Sequence, residues 1–415
     1  MYVERDLEKK IKKYLSAPEI ISVVGARQAG KTTLLKHLQA GIRDSSFLTF
    51  EDIEIRELFD LDIKSFIELY IKPARVIFLD EFQYSKKGGQ GLKFIYDTVP
   101  GRKLIISGSS SLDLTIKAVK HLTGRILSFT LYPFSFREVL RSKDKRLSKL
   151  FESTLEGGPI EPPLLERLQK HYREFVIYGG YPRVATAQSD EEKKEILRNI
   201  FQIYLLRDVR DILGLVDDYK MLSLVKALAL QAGQAISYDE LANLTQQNTP
   251  AVKRQMNFLE KTYIASFLRP YFRNRRTELV KNPKVYFLDT GLRNAIIRDF
   301  KPVSERQDKG ALYENSVFSE LLKKDRLVKY WRTKSKAEVD FVIDDQIPLE
   351  VKSSLSKPLV GKSLHSFIAK YQPGHAFILN ESLFESLRTR KSMIHWRYHF
   401  SGLNLEFDYK KMRSR

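Results

Sequence analysis

Over its first third the chain alternates short, largely apolar runs with stretches of helical period. Ile20-Ile21-Ser22-Val23-Val24, Val76-Ile77-Phe78-Leu79 and Leu104-Ile105-Ile106 are strand-length runs without polar alternation, the pattern of strands buried on both faces. After the first run, Leu34, Leu35 and Leu38 mark one face of a helix. Residues 1–15 read as an amphipathic helix leading into the first strand. Up to about residue 140 the alternation predicts a βαβ series, hence a parallel sheet with helices on both faces. Arg141 to Lys149 is strongly basic, and Gly157-Gly158-Pro159-Ile160-Glu161-Pro162-Pro163 has the density of a loop or linker. Residues 164–230 read as helices, punctuated by Tyr178-Gly179-Gly180-Tyr181-Pro182.

The pattern then changes. Ser237 stands three residues before Glu240, a capping-box spacing. A polar break at Thr245 to Asn248 precedes a second helix with Pro250 in its first turn. Val252, Met256 and Leu259 form that helix's apolar stripe, and strand-like Ile264 to Leu268 and Lys284 to Leu288 follow. Helix–turn–helix plus hairpin predicts a winged helix. Beyond residue 300 the order is αβββαβ, with helices at Gly310 to Lys323 and Ser363 to Tyr371. The expected segments are a P-loop core at 1–150, a helical connector at 164–230, the winged helix at 231–295 and an α/β domain at 300–415.

Chemistry sits at three places on this frame. Gly25-Ala26-Arg27-Gln28-Ala29-Gly30-Lys31-Thr32 matches the phosphate-binding P-loop G-x-x-x-x-G-K-[ST], with a strand before it and a helix, beginning Thr33-Leu34, behind. Backbone N–H groups and the helix N-terminus suit a phosphate. Lys31 reaches toward the β- and γ-phosphates and Thr32 toward Mg²⁺. The run ending in Asp80-Glu81 delivers two acids to a strand's carboxyl end, where open α/β sheets bind ligands. Asp80 suits Mg²⁺ through water, and Glu81 suits orienting or deprotonating the attacking water. The next strand ends in Ser107-Gly108-Ser109-Ser110-Ser111. Those serines are either a polar turn or a γ-phosphate sensor, for which Ser109 is the candidate.

The third place is the C-terminal hairpin. Glu350 and Lys352 are two residues apart, so they share a strand face, and Asp340 lies on the partner strand. Carboxylates and a lysine converging there can bind a divalent metal and activate water, with Glu314 a further carboxylate from the preceding helix. Alternatively the hairpin is only charged and exposed.

Composition narrows the partners. The 415 residues carry a net charge of +20, which favours an acidic partner such as nucleic acid. Residues 251–280 hold seven Lys/Arg against two Glu, suiting a DNA backbone. The absence of cysteine excludes disulfides and thiolate metal sites and fits a cytoplasmic location. The charged N-terminus lacks a secretory signal's apolar core, and no apolar run has a membrane span's length, about 20 residues.

Gly25–Thr32 and Val76–Gln83 resemble the motifs of the AAA+ class of P-loop ATPases, in particular a prokaryotic group of AAA-domain proteins. Ser107–Ser110, Leu122–Arg125 and Tyr132–Phe136 are similar to the group's following segments. The resemblance implies an ATPase using ATP and Mg²⁺, fused to a tail of unknown function resembling the PD-(D/E)xK nuclease fold. Asp340, Glu350 and Lys352 match the nuclease pattern, and Glu314 its helix carboxylate. No motif places an arginine finger; Arg125, Arg207 and Arg210 are candidates. Two readings follow: an ATP-driven enzyme acting on DNA, or a nucleotide-dependent switch for a protein partner with an inert tail. Either is compatible with a homo-oligomer.

Overall fold

The computed structural model describes residues 2–108, 122–154, 158–213, 218–272, 276, 278 and 281–404, with the backbone alone at 204–213, 218 and 402–404. The chain divides into two compact units, Met1–Phe134 with Lys261–Ile264, and Ser135–Glu260 with Ala265–Arg415.

In the first unit the apolar runs become β1 (Ile20–Gly25), β2 (Ser45–Thr49), β3 (Val76–Asp80), β4 (Lys103–Gly108) and β5 (Ile126–Leu131). All pair in parallel, in the order β2-β3-β4-β1-β5. The strands β1, β3 and β4 are buried throughout, which is why their sequences do not alternate. Helices α1 (Asp6–Lys13) and α2 (Lys31–Ala40) contribute Ile11, Leu34, Leu35 and Leu38 to one apolar cluster. Helices α3 (Ile53–Leu61), α4 (Ile63–Phe66) and α5 (Gly88–Thr98) contribute to another. There Phe59 meets Phe50, Phe66 and Phe82 edge-on, with ring centroids 5.2, 5.1 and 5.5 Å apart. Edge-to-face rings add about 0.5–1.5 kcal/mol each beyond their buried area. The Asp52 carboxylate starts α3 by accepting from the N–H groups of Glu54 and Ile55.

The second unit begins with α6 (Phe136–Lys143), held by a full capping box between Ser135 and Glu138. Then follow α7 (Lys145–Thr154), α8 (Pro162–Tyr178), α9 (Pro182–Thr186), α10 (Asp190–Leu213), α11 (Asp218–Leu230), α12 (Tyr238–Leu244) and α13 (Thr249–Lys261). Strands β6 (Ala265–Leu268) and β7 (Lys284–Phe287) pair antiparallel. After α14 (Thr290–Ile297) and α15 (Lys309–Lys323) comes a mixed six-stranded sheet. It contains β8 (Val328–Arg332), β9 (Glu338–Ile343), β10 (Ile347–Val351), β11 (His375–Asn380), β12 (Glu385–Arg388) and β13 (Met393–Tyr398), in the order β12-β13-β11-β10-β9-β8. Helix α16 (Lys362–Tyr371) crosses over between the parallel neighbours β10 and β11 and packs Leu364, Phe367 and Ile368 with Trp331 and Trp396. Around Tyr286 of β7, Phe318 of α15 stacks at 4.4 Å and Phe341 of β9 lies at 5.6 Å. No helix among the described residues is long and apolar enough to cross a membrane.

The Gly-Gly punctuation after α8 has a packing reason. Asp289, 4 % exposed, caps α14 through the Leu292 N–H and also accepts from the Gly180 N–H at 2.7 Å. Gly179 has φ +73°, and a Cβ there would lie 2.0 Å from Asp289 Oδ1. A Cβ on Gly291 would lie 2.0 Å from the Tyr178 carbonyl oxygen. Since backbone cannot yield as a side-chain tip does, Gly291→Ala should cost on the order of 3 kcal/mol. Denaturant unfolding of the full chain would show a lowered midpoint for the transition of the second unit.

Candidate functional site

The carboxyl ends of β1, β4 and β3 lie side by side, and three successive register constraints build the site there. Gly25 ends β1 opposite Leu131 of β5 with φ +148°, and a Cβ would stand 2.0 Å from the Leu131 carbonyl oxygen. Only glycine lets the loop leave the strand at this angle. Gln28 (φ +57°) and Gly30 (φ +94°) are left-handed and turn the chain back into α2. Ala26 and Ala29 are buried, Arg27 and Thr32 half-buried, and Gln28 and Thr33 exposed. Lys31 is only 5 % exposed, and its ammonium donates to the carbonyls of Gly25 and Ala26, each at 3.0 Å.

The second constraint is the β1–β4–β3 pairing. Val23 of β1 lies opposite Ser107 of β4, and Ile106 opposite Leu79. Asp80 is thereby aimed between two hydroxyls. Thr32 Oγ1 donates to Asp80 Oδ2 at 2.7 Å, and Ser107 Oγ donates to Asp80 Oδ1. Asp80 is 3 % exposed.

The third is the turn after β3. Glu81 has φ +53°, a conformation that costs a non-glycine residue roughly 1–2 kcal/mol. Its N–H donates to Ser107 Oγ at 3.4 Å, and its carboxylate accepts from Gln83 Nε2. Neither Ser107 nor Gln83 is among the residues expected to act. Ser107 is found through strand register, whereas Gln83 carries no motif signal.

The structure therefore brings Lys31, Thr32, Asp80 and Glu81 to one edge of one sheet. Ser109 lies outside the described residues. The side chains of Arg207 and Arg210 lie outside them too. Arg125 is not brought to this edge. Its carbonyl accepts the Ile20 N–H at the opposite end of β1, and its guanidinium pairs with Asp97 at 3.1 Å. Chemically the edge offers a phosphate cradle, one buried lysine, a hydroxyl–carboxylate pair and a second carboxylate beside it. A hydroxyl donating to a buried carboxylate, both on oxygen atoms, is a donor set suited to Mg²⁺.

Residues 17–140 match the family model of an AAA domain. Residues 169–302 and 309–397 match two models described as domains of unknown function, DUF8612 and DUF4143. The N-terminal unit is a P-loop domain of AAA type. An uncharacterized protein of Methanocaldococcus jannaschii is 28% identical over 360 residues, 82% of this chain and 75% of the relative. One of Haemophilus influenzae is 28% identical over 349 residues, 78% and 79%. Among solved structures, a Walker-type ATPase of Pyrococcus abyssi is 16% identical, covers 71% of this chain and 96% of its own, and has a TM-score of 0.48.

The carboxylates of the tail meet differently from expectation. Glu314 of α15 and Asp340 of β9 are close enough to couple electrostatically, and Glu350 joins them with Lys352 3.1 Å away. Asp340 also accepts the Val351 N–H at 2.8 Å. Into this group β7 inserts Lys284, itself 1 % exposed. Its ammonium lies 3.1 Å from Glu314 and 2.6 Å from Glu338, and Tyr286 donates to the same Glu314 oxygen. Glu314, expected with Asp340 and Glu350 to hold a divalent cation beside Lys352, thus already has an ammonium within ion-pair distance. Lys284 stands 30 residues ahead of Glu314 and belongs to no local motif, so nothing in the sequence points to it.

Burial, then the neighbouring Asp340 charge, push the Glu314 carboxyl up to about 7 against the pull of Lys284. Burial also raises Asp340 and Glu350. Burial works to lower Lys284, but Glu314, Asp340 and Glu338 outweigh it and hold the ammonium above the usual lysine range. An acid with a raised native pKa binds more protons folded than unfolded, so its contribution to stability is lost as pH rises. The unfolding free energy of the wild type should thus fall between about pH 4.5 and 7, and Glu314→Gln should flatten that slope. Denaturant titrations across this window check it.

Proposed function

We propose that the chain is a Mg²⁺-dependent ATPase whose nucleotide state is read out by a C-terminal unit that binds a partner rather than cutting one. The observation carrying this reading is the Lys31–Thr32–Asp80–Glu81 edge on a parallel sheet. Lys31 leaves the carbonyls of Gly25 and Ala26 for the β- and γ-phosphates, and the N–H groups of residues 25–33 cradle the remainder. Thr32 and Asp80 would hold Mg²⁺, which when bound neutralises charge on the phosphates. Glu81 orients a water and accepts its proton as the water oxygen bonds to the γ-phosphorus and ADP leaves. Positioning and charge stabilisation carry the rate. Ser107, joined to both Asp80 and the Glu81 N–H, keeps the two acids in register. In this reading Ser109, which lies outside the described residues, keeps the role of γ-phosphate sensor.

Lys284 beside Glu314 and Lys352 beside Glu350 support an inert tail, since each of these acids already has an ammonium within ion-pair distance. In this reading Glu314, Asp340, Glu350 and Lys352 are structural. The segment from α12 to β7 acts as a winged helix whose partner is DNA. On α13, Val252, Met256 and Leu259 are buried while Lys253 and Arg254 face solvent, and Arg276 is exposed farther along. Arg273 and Arg275 lie outside the described residues. The competing reading, a switch for a protein partner, shares the ATPase and the inert tail and lacks the DNA.

Hydrolysis tests the ATPase common to both readings, and DNA binding divides them. Lys31→Ala should abolish ATP hydrolysis, and Glu81→Gln should bind ATP but turn over roughly 10²–10⁴-fold more slowly. Hydrolysis by Glu81→Gln at the wild-type rate would remove that carboxylate from the mechanism. Lys253→Glu with Arg254→Glu should weaken duplex binding and lower the log–log salt slope by about 0.9 for each phosphate no longer neutralised. Absence of DNA binding at low salt would favour the protein-partner switch.

A further inference from the structure

The second unit contains a hollow that the ATPase reading does not use. It has a volume of about 770 Å³ and opens between α10, α11 and α14. Its floor is apolar, with Ala295 and Ile296 buried and Phe201 and Leu222 half-buried. Its rim is cationic, with Arg198 from α10, Lys226 from α11 and Arg298 from the end of α14, all exposed. Volumes of about 300–1,000 Å³ with an apolar floor and a few polar groups characterise small-molecule sites.

Two features set this hollow apart from a merely basic surface. Among the described residues its cations have one acid partner between them. Arg198 has Glu195 on its own helix at 3.6 Å, with both side chains more than half exposed, a weak pair. Neither Lys226 nor Arg298 meets a carboxylate within ion-pair distance among the described residues. Like charges gathered round one hollow repel one another until an anion enters. The second feature is backbone geometry. Arg298 holds φ +57° at the C-cap of α14, a position usually given to glycine. The chain here keeps a long cationic side chain at the rim at a cost in conformational energy.

We infer that this hollow binds a phosphorylated nucleoside, free or as one residue of a nucleic-acid strand. The two guanidinium groups match a phosphate by their planar forks, Lys226 adds a point charge, and Phe201 offers a ring face on which a base stacks. The inference is independent of the P-loop, which grips nucleotides by β- and γ-phosphates. A nucleoside monophosphate is accordingly a probe selective for the hollow.

The experiment titrates dTMP by calorimetry, and a fluorescein-labelled oligo-dT by anisotropy, into the full chain. The chains compared are wild type, Lys31→Ala, Lys226→Glu with Arg298→Glu, and Phe201→Ala. Binding of dTMP should survive Lys31→Ala and weaken at least ten-fold in the double reversal. For the oligonucleotide, the double reversal should lower the salt slope by about 0.7 for each phosphate no longer neutralised. Phe201→Ala should weaken both probes with the slope unchanged. Oligo-dT bound more tightly than dTMP assigns the site to a strand, and equal affinity assigns it to a free nucleotide. Should the double reversal melt early, Lys226→Gln with Arg298→Gln carries the same test without added acid. Absence of binding by both probes in the wild type, or affinities that the rim variants leave unchanged, overturns the assignment.

Discussion

The first unit depends on where one buried carboxylate is held. Asp80 sits at the end of β3 between the hydroxyls of Thr32 and Ser107, so three neighbouring segments are tied through a single side chain. A carboxylate taken out of water without partners is costly, whereas one with two hydroxyl donors is not. The cost of error is what makes the arrangement specific. If β4 slipped by one residue against β3, Ser107 would turn to the other face and the acid would lose a donor. Glu81, which reaches Ser107 through its own N–H, would lose its anchor in the same step. The geometry of the phosphate edge is therefore set by the apolar registers beneath it.

The second unit solves a comparable problem with charge. Glu314, Glu338, Asp340 and Glu350 gather near one another, and Lys284 and Lys352 answer them. A buried ion cluster adds little net stability compared with apolar packing, but removal of one member leaves the others uncompensated. Tyr286 completes the arrangement by donating to Glu314 while its ring packs on Phe318 and Phe341.

Much of this is legible in the sequence, for identifiable reasons. The parallel sheet is readable because Ile20–Val24, Val76–Leu79 and Leu104–Ile106 are apolar without alternation, which few elements other than doubly buried strands produce. Lys31, Thr32 and Asp80 can be placed at one edge because strand, loop and helix follow one another without interruption. The six-stranded sheet is only half visible. Its αβββαβ core shows clear periods, but the exposed β12 has none. The serine run draws attention to Ser109 rather than Ser107 because pairing to Asp80 is decided by strand register, a tertiary fact. Lys284 is invisible for the same reason. Nothing near Lys284 in the chain announces that a strand thirty residues upstream of Glu314 sets an ammonium between Glu314 and Glu338.

The position of Lys284 has a consequence for how the chain can be divided. It lies on β7, inside the segment 169–302, while Glu314, Asp340 and Glu350 lie in the segment 309–397. The two segments match separate family models, yet an ammonium of the first pairs with acids of the second. A cut near residue 300 would strand a buried ammonium on one piece and a nest of carboxylates on the other. During synthesis the β7 lysine emerges before its acids, so the earlier segment waits for α15 and β9 before its ammonium finds its counter-ions.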